Sequence, residues 1–498
     1  MQVALVNTNR VRPPIAPLGL EYVAEALAAR GHTPVILDLA WTDDVSAAID
    51  AFFQRCEAPL VGITVRNTDD CAFATRHSFL GELADVTRRV RSRTDGHIVL
   101  GGVGFSVLPR TVLTATEADA GIRGEGEFSF PELADRIEQG LPIDDVPGLI
   151  RRGNAGAWHG VPVRFGDLST LPPRRRDRVD NVRYFAEGGQ AAVETSRGCQ
   201  QPCTFCADPV AQGRAVRFRP PGAVADEVEA LLAQGIDCFH TADSEFNLSK
   251  VHADAVCDTL VRRGLADHVQ WYAYALPTSF SRDTARSMKR AGCIGINFSV
   301  DHGDPRMLRR LGRTFSPQDI LDTARYCAAE GIAVMFDLLL GAPGETRESI
   351  ASAVDLMKRS QADRIGIGLG VRVWPETALA SELLTSPLRD GLARDGLPRA
   401  GPARDPLPRP DPLRDGLVGG TTEAEPLFYL EPTIATDIAQ WIASQVGDDP
   451  RFLCFDPDEA TKNYNYSDNQ ILENAVRAGH RGAYWDILRR LDATAGRS

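Results

Sequence analysis

The chain has no apolar run near the ~20 residues that a membrane-spanning helix needs, so a helical integral membrane protein is not expected. A surplus of positive charge is also missing: 55 Lys and Arg stand against 67 Asp and Glu, for a formal net charge of −12. That balance argues against nucleic acid or an anionic membrane as the main partner. The start, Met1-Gln-Val-Ala-Leu-Val-Asn7, has neither the basic opening nor the cleavage site of a secretory signal. Ten cysteines in 498 residues do not make a disulfide framework, which points to a reducing, cytoplasmic compartment. At this length two or three domains are expected, and 43% apolar residues suffice to fill them.

Cys56, Cys71, Cys238, Cys257, Cys293, Cys327 and Cys454 are scattered singly, and most read as ordinary buried thiols. The others are grouped, in Glu194-Thr-Ser-Arg-Gly-Cys199-Gln-Gln-Pro-Cys203-Thr-Phe-Cys206. Three thiolates on one tight loop satisfy three irons of a 4Fe–4S cluster and leave the fourth open to a ligand that is not cysteine. A structural zinc loop would want a fourth Cys or His nearby, and none lies between Cys206 and Cys238. An open iron beside an aromatic-bearing loop suits chelation of S-adenosylmethionine (SAM). With Phe205 just before the last cysteine, the arrangement resembles the radical SAM signature.

Residues 1 to about 150 alternate apolar strand candidates (3–6, 33–37, 60–65 and 97–100) with helix-length stretches such as 18–30 and 79–91. This predicts an α/β, Rossmann-like doubly wound parallel sheet with ligands at the carboxyl ends of its strands. Residues 151–188, polar and carrying Leu171-Pro-Pro-Arg-Arg-Arg176, read as a connector. Between 189 and 385, strand candidates at 191–195, 238–242, 269–273, 295–300, 333–340 and 365–373 predict a partial (β/α)6 barrel with its chemistry at strand ends. Residues 386–426 repeat Pro-Leu-Arg-Asp-Gly-Leu and read as a low-complexity mobile loop. The remainder, 427–498, is expected to be a mostly helical C-terminal domain.

Loops after the first strands carry Pro17-Leu18-Gly19, Gly101-Gly102-Val103-Gly104 and Glu125-Gly126, where glycine lets backbone approach a bulky ligand. Placed ahead of the cysteine loop, they resemble the cobalamin-binding domain of cobalamin-dependent radical SAM enzymes. The resemblance covers residues 1 to about 385 and implies cobalamin among Thr64, Arg66, Asn67 and these glycines. One departure stands out. No Asp-x-His-x-x-Gly occurs, and the corresponding strand end reads Gly62-Ile-Thr64-Val-Arg66-Asn67-Thr-Asp69-Asp70. A guanidinium has no lone pair to give cobalt, so Arg66 would leave the lower face open and favour cob(I)alamin. The alternative is an ion pair of Arg66 with Asp69 or Asp70 closing a loop.

In the barrel, Asp243 and Ser244 follow the second strand, Asn297, Ser299 and Asp301 the fourth, and Asp337 and Gly341 the fifth. The resemblance implies that these ends hold SAM, although Ser316 and Thr346 could equally cap helices. Glu227 is either a carboxylate near the open iron or a helix-surface residue. Tyr272, Tyr274, Tyr464 and Tyr466 are candidate bases. Together with the aromatic tail, the pattern resembles the class B methyltransferases, in the tryptophan 2-C-methyltransferase group.

The expected function is transfer of a methyl group from SAM through methylcobalamin to a carbon of a small natural-product precursor, such as tryptophan or an indole, or of a peptide side chain. Radical and heterolytic routes both stay open, Arg66 leaning to the heterolytic one. A flavodoxin or ferredoxin is the expected reductant. The rivals are cyclisation or rearrangement on the same scaffold, and a non-catalytic cobalamin or iron–sulfur sensor.

Overall fold

Both alternations of strand and helix fold into parallel sheets in the computed structural model, which describes residues 1–152, 158–159, 161–384, 416–422, 424–454 and 466–495. The first sheet holds β1 (Gln2–Asn7), β2 (Thr33–Asp38), β3 (Leu60–Thr64), β4 (His97–Gly101) and β5 (Ala120–Ile122), all parallel. β6 (Leu149–Arg152) and β7 (Trp158–His159) extend it antiparallel, so the sheet runs across residue 150, where the sequence suggested a boundary. The order β2-β1-β3-β4-β5-β6-β7 reverses direction between β1 and β3. A crevice opens at the carboxyl ends of strands at such a switch point.

The stretch expected as a polar connector is anchored instead. In the arginine run, Arg174 and Arg176 are buried while Arg175 is exposed, an alternation that drives every second guanidinium inward. Arg176 donates to Glu21 from Nε at 2.8 Å and to Glu227 from Nη1 at 2.9 Å. Glu227 is therefore no surface residue. It is 1% exposed, on the same helical face as Val224, Val228 and Leu231. Burying such charges is tolerable only because each is paired. Arg174 also lies 3.3 Å over the Tyr22 ring, where a desolvated cation–π contact adds to the pairing.

The barrel begins with β8 (Ala191–Val193). β9 (Ser196–Arg197) and β10 (Arg217–Phe218) then pair antiparallel, Arg197 opposite Arg217, and form the neck of the cysteine loop. β11 (Cys238–Thr241), β12 (Gln270–Ala275), β13 (Cys293–Asp301), β14 (Ala333–Leu340) and β15 (Arg364–Leu369) continue the parallel sheet. Ser316 and Thr346 act as helix caps, each accepting from the backbone N–H three residues on.

Two features differ from expectation. The sixth strand breaks at Gly370, whose φ of +76° turns the chain into β16 (Val371–Arg372). β16 joins a small antiparallel sheet with β17 (Leu417–Gly419) and β18 (Leu427–Tyr429), in the order β16-β18-β17. Most of the repeat segment lies outside the described residues, but β17 falls inside the stretch expected to be a mobile loop, and its Leu417 is buried. The C-terminal part is also not only helical. Its β19 (Phe452–Cys454) pairs parallel with β15 and makes the barrel sheet seven-stranded.

Candidate active site

Between β9 and β10 the loop of Cys199, Cys203 and Cys206 closes on itself: Cys199 N–H donates to the Gly213 carbonyl at 3.0 Å, and Gly198 N–H donates to Gln212 Oε1 at 3.2 Å. All three cysteines are free. Burial pushes the Cys199 thiol up to about 11 and raises Cys206 further, while at Cys203 the Arg313 guanidinium partly offsets it. Thiols in this state bind metal only as the metal displaces their protons. Among the described residues only His32, Asp135 and Glu138 bring three donor atoms within 4.8 Å of one another. The three cysteine sulphurs therefore do not all lie within that distance of one another. Phe205 packs against the apolar group around Met307, Leu311 and Ala342.

The strand ends above this loop divide into struts and open positions. Asp243 is a strut, since its carboxylate accepts from Thr195 N, Thr195 Oγ1 and Ser196 N, each at 2.7 Å. Asp301 is another, paired with Arg313. Of these two, expected at SAM, Asp243 has both oxygens occupied by the protein and Asp301 has its Oδ2 held by Arg313. Gly341 sits at φ +97° and its amide faces Glu345, so its turn is held from behind. Ser244 borders Asp208 of the cysteine loop, and Ser299 borders Glu245. Asn297 stays open: it is 6% exposed, and its Oδ1 has no partner among the described residues. A buried polar atom left so is costly unless a ligand meets it.

Glu245 was missed as a site residue. Burial pushes its carboxyl up to about 8 against the pull of Arg313, and its charge bears on both Cys199 and Cys203. The only sequence signal was its place beside Asp243 and Ser244.

The loop after β3 faces the barrel mouth across a chamber in which Arg66 and Tyr274 sense each other and both keep exposed surface. Arg66, at the end of β3, is exposed to that space yet desolvated, which lowers its pKa. The alternative ion pairs do not form. Asp69 is held by Arg372 at 2.9 Å, and Asp70 accepts from the backbone of Ala72 and His77 at 3.1 and 3.2 Å. Among the described residues Arg66 has no acidic partner; its electrostatic neighbours are Tyr484, Tyr274 and Cys71. Tyr274 is 40% exposed to the chamber, and burial together with Asp337 lifts its phenol to about 12. Tyr466 also senses Asp337, and its ring lies 5.9 Å from that of Tyr484. Tyr272 points elsewhere: it is fully buried and donates to Asp486 at 2.7 Å, one layer deeper in the barrel. It is a structural post and not an accessible base. Tyr464 lies outside the described residues.

Beside the chamber a cavity of about 270 Å³ reaches down to Leu5, Gly62 and Phe130. Leu18, Gly19, Thr64, Gly101, Gly102, Val103, Glu125 and Gly126 line it. Nothing lies within 4 Å of where a Cβ would stand on Gly19 or Gly101, so glycine keeps the space free. Gly102, at φ +99°, and Gly104 instead let the β4 turn close against the backbone of residues 65–67. Pro17 only starts the helix Leu18–Ala29. Asn67 and Arg66 line a separate cavity of about 500 Å³ with Arg10, His77 and Asp468.

Comparison with known proteins agrees with this geometry. Residues 4–134 match the B12 binding domain and residues 193–357 the radical SAM superfamily. The chain is 34% identical over 445 residues to the tryptophan 2-C-methyltransferase of Streptomyces laurentii, covering 76% of this chain and 74% of that one. The structure of the radical SAM methyltransferase TsrM from Kitasatospora setae, with tryptophan and a SAM analogue bound, superposes with a TM-score of 0.88 at 28% identity over 100% of this chain and 98% of that one. The cobalamin-dependent radical enzyme OxsB shares the fold, at a TM-score of 0.62 and 18% identity over 75% of this chain and 53% of that one. With its two cofactor-binding units facing one chamber, the chain belongs to the cobalamin-dependent radical SAM methyltransferases.

Proposed function

We propose that this enzyme methylates a ring carbon of an indole-bearing substrate, tryptophan or a close derivative, by a heterolytic route. The observation that carries the route is Arg66, a desolvated cation at the switch point with no acidic partner among the described residues. Cys199, Cys203 and Cys206 would hold the 4Fe–4S cluster, with Asn297, Ser299, Ser244 and Glu245 around SAM and the 270 Å³ cavity taking the cobalamin tail. When bound, cobalamin supplies a carrier that accepts the methyl group of SAM and passes it to carbon.

The chain's own groups then do the rest. Arg66 offers no lone pair and would set a positive charge beside the bound group. Tyr274 stays a neutral phenol near neutral pH, and its oxygen can accept a hydrogen bond from a substrate N–H. The Tyr466 and Tyr484 rings give a flat aromatic substrate stacking surfaces. Electrons come from a low-potential donor such as a flavodoxin or ferredoxin, in the reducing cytoplasm. No helix among the described residues is long and apolar enough to cross a membrane.

The test is anaerobic reconstitution with iron, sulfide and hydroxocobalamin, then incubation with SAM, reductant and tryptophan, read by mass spectrometry. Methylated tryptophan formed in step with S-adenosylhomocysteine, and lost in Cys203→Ala, is the expected result. Release of 5′-deoxyadenosine in stoichiometry with product would sink the heterolytic route; 5′-deoxyadenosine with no methylated product would favour a rearrangement.

A further inference from the structure

We propose that Glu125 couples cobalamin binding to cluster binding, by tying the cobalamin cavity to the neck of the cysteine loop. The proposal rests on the reading that this cavity takes the cobalamin tail. Seen from the barrel side, the cavity wall is made of Glu194, Arg197, Ala211 and Gln212. Three of these are the stems of the cysteine loop: Arg197 lies two residues before Cys199, and the helix Asp208–Gln212 follows Cys206. The loop that would grip the cluster is therefore also the surface on which the tail would rest.

The neck itself is short. β9 and β10 share a two-residue ladder, Arg197 opposite Arg217 and Ser196 opposite Phe218. An isolated two-stranded ladder is marginal in water, so this one needs outside support. Glu125, which begins the helix Gly126–Gln139 of the first domain, provides it. One carboxylate oxygen accepts from Arg217 Nη1, while the other accepts from Phe165 N–H at 2.7 Å and lies 3.6 Å from Arg197 Nη1. Arg217 also donates to the carbonyls of Gln212 at 2.6 Å and Phe165 at 2.8 Å. Glu125, Arg197 and Arg217 are 7%, 6% and 9% exposed, so this bridge works with little solvent screening.

The coupling follows from where ordering entropy is lost. Three thiolates bound to one rigid body remove most of the freedom of the segment between β9 and β10. Cobalamin arriving afterwards meets a wall already in place and binds more tightly, and by linkage the cluster gains the same factor from cobalamin. Without Glu125 the link from the first domain to β10 would be lost, while Arg197 on β9 would keep its pair with Glu127 of the same helix.

The test uses the full chain, as cluster-loaded wild type and as a cluster-free form with Cys199, Cys203 and Cys206 all replaced by Ala. Each is titrated with hydroxocobalamin and followed by tryptophan fluorescence. The expected result is an affinity at least about tenfold higher with the cluster, a ratio that falls at least about threefold in Glu125→Gln and is partly restored in Glu125→Asp. A second arm follows the visible absorbance of the cluster under an iron chelator: cobalamin should slow its loss in the wild type and leave Glu125→Gln unchanged. Should Glu125→Gln fail to fold by circular dichroism, Arg217→Lys, which breaks the guanidinium fork to Glu125 and keeps a cation, carries the same comparison. Equal cobalamin affinity with and without the cluster would overturn the proposal while leaving the cofactor reading intact. A variant that weakens both forms alike would overturn it too, since that marks a merely structural Glu125. Absence of cobalamin binding to either form would overturn the cofactor reading of the cavity and this proposal with it.

Discussion

On the proposed reading, Arg66 sets a charge where a coordinating lone pair could have stood. Replacing it with histidine brings an imidazole to the same strand end. The Arg66→His variant should show nitrogen splitting in the electron paramagnetic resonance spectrum of its cob(II)alamin form. Methyl transfer should fall about tenfold or more, which corresponds to about 1.4 kcal/mol of lost transition-state stabilisation. An unchanged spectrum would mean that Arg66 does not face cobalt.

A second residue-scale prediction concerns His240, whose ring lies 4.7 Å from that of Tyr274. Burial lowers its pKa from the model-compound 6.5 to about 4, although Nδ1 bonds the Thr241 carbonyl at 2.7 Å. The unfolded chain then binds more protons than the folded one between those values, so His240 weakens the fold as pH falls from about 6.5 to about 4. Urea midpoints of the apoprotein should drop over that window less steeply in His240→Gln than in the wild type. Parallel curves would remove His240 from the account. Tyr272 and Tyr274 teach the same lesson about residues: they alternate onto one face of β12, but barrel depth gives one to Asp486 and the other to the chamber.

At the scale of elements, the break between β15 and β16 is decided by one glycine. A Cβ on Gly370 would lie 2.4 Å from the Phe73 ring, at a φ of +76° that L residues avoid. Gly370→Ala should cost about 1–3 kcal/mol from backbone strain, with more from the collision. Urea denaturation would read that loss, and a stability equal to wild type would show that the turn can relax. The expected strands were legible because each is built on a local apolar run bounded by turn residues; β13 and β14 are the longest of them, at nine and eight residues. β19 was not legible. Three residues, Phe452 to Cys454, make a strand only because β15 offers them an edge almost ninety positions earlier, Ile365 opposite Phe452.

At the scale of the whole molecule, the two cofactor-binding units are joined by buried charge. Asp69, 1% exposed, is held by Arg372, whose guanidinium also lies 4.1 Å from the Trp374 ring. Phe73 meets Phe428 edge-on at 5.8 Å beside it. Arg372→Leu would leave Asp69 buried without its partner, at a cost of about 3–5 kcal/mol. The loop carrying Arg66 should then undock, seen as faster proteolysis between residues 66 and 79 and weaker cobalamin binding. Proteolysis at the wild-type rate would show that the Phe73 contact suffices alone.

What the sequence determined by itself was the local chemistry: a three-cysteine loop, two runs of parallel-sheet strands, glycine turns at strand ends, and an arginine in place of a histidine. Each is set by neighbours a few residues away, where spacing and backbone geometry act directly. The tertiary structure alone decided which charges are struts and which are open. Glu227 and Arg176, Asp69 and Arg372, and Tyr272 and Asp486 are paired across 51, 303 and 214 positions. No periodicity encodes such pairings, because a buried charge takes whichever partner the packed domains bring within reach of it, and Arg66 and Asn297 were left open only once those choices had been made.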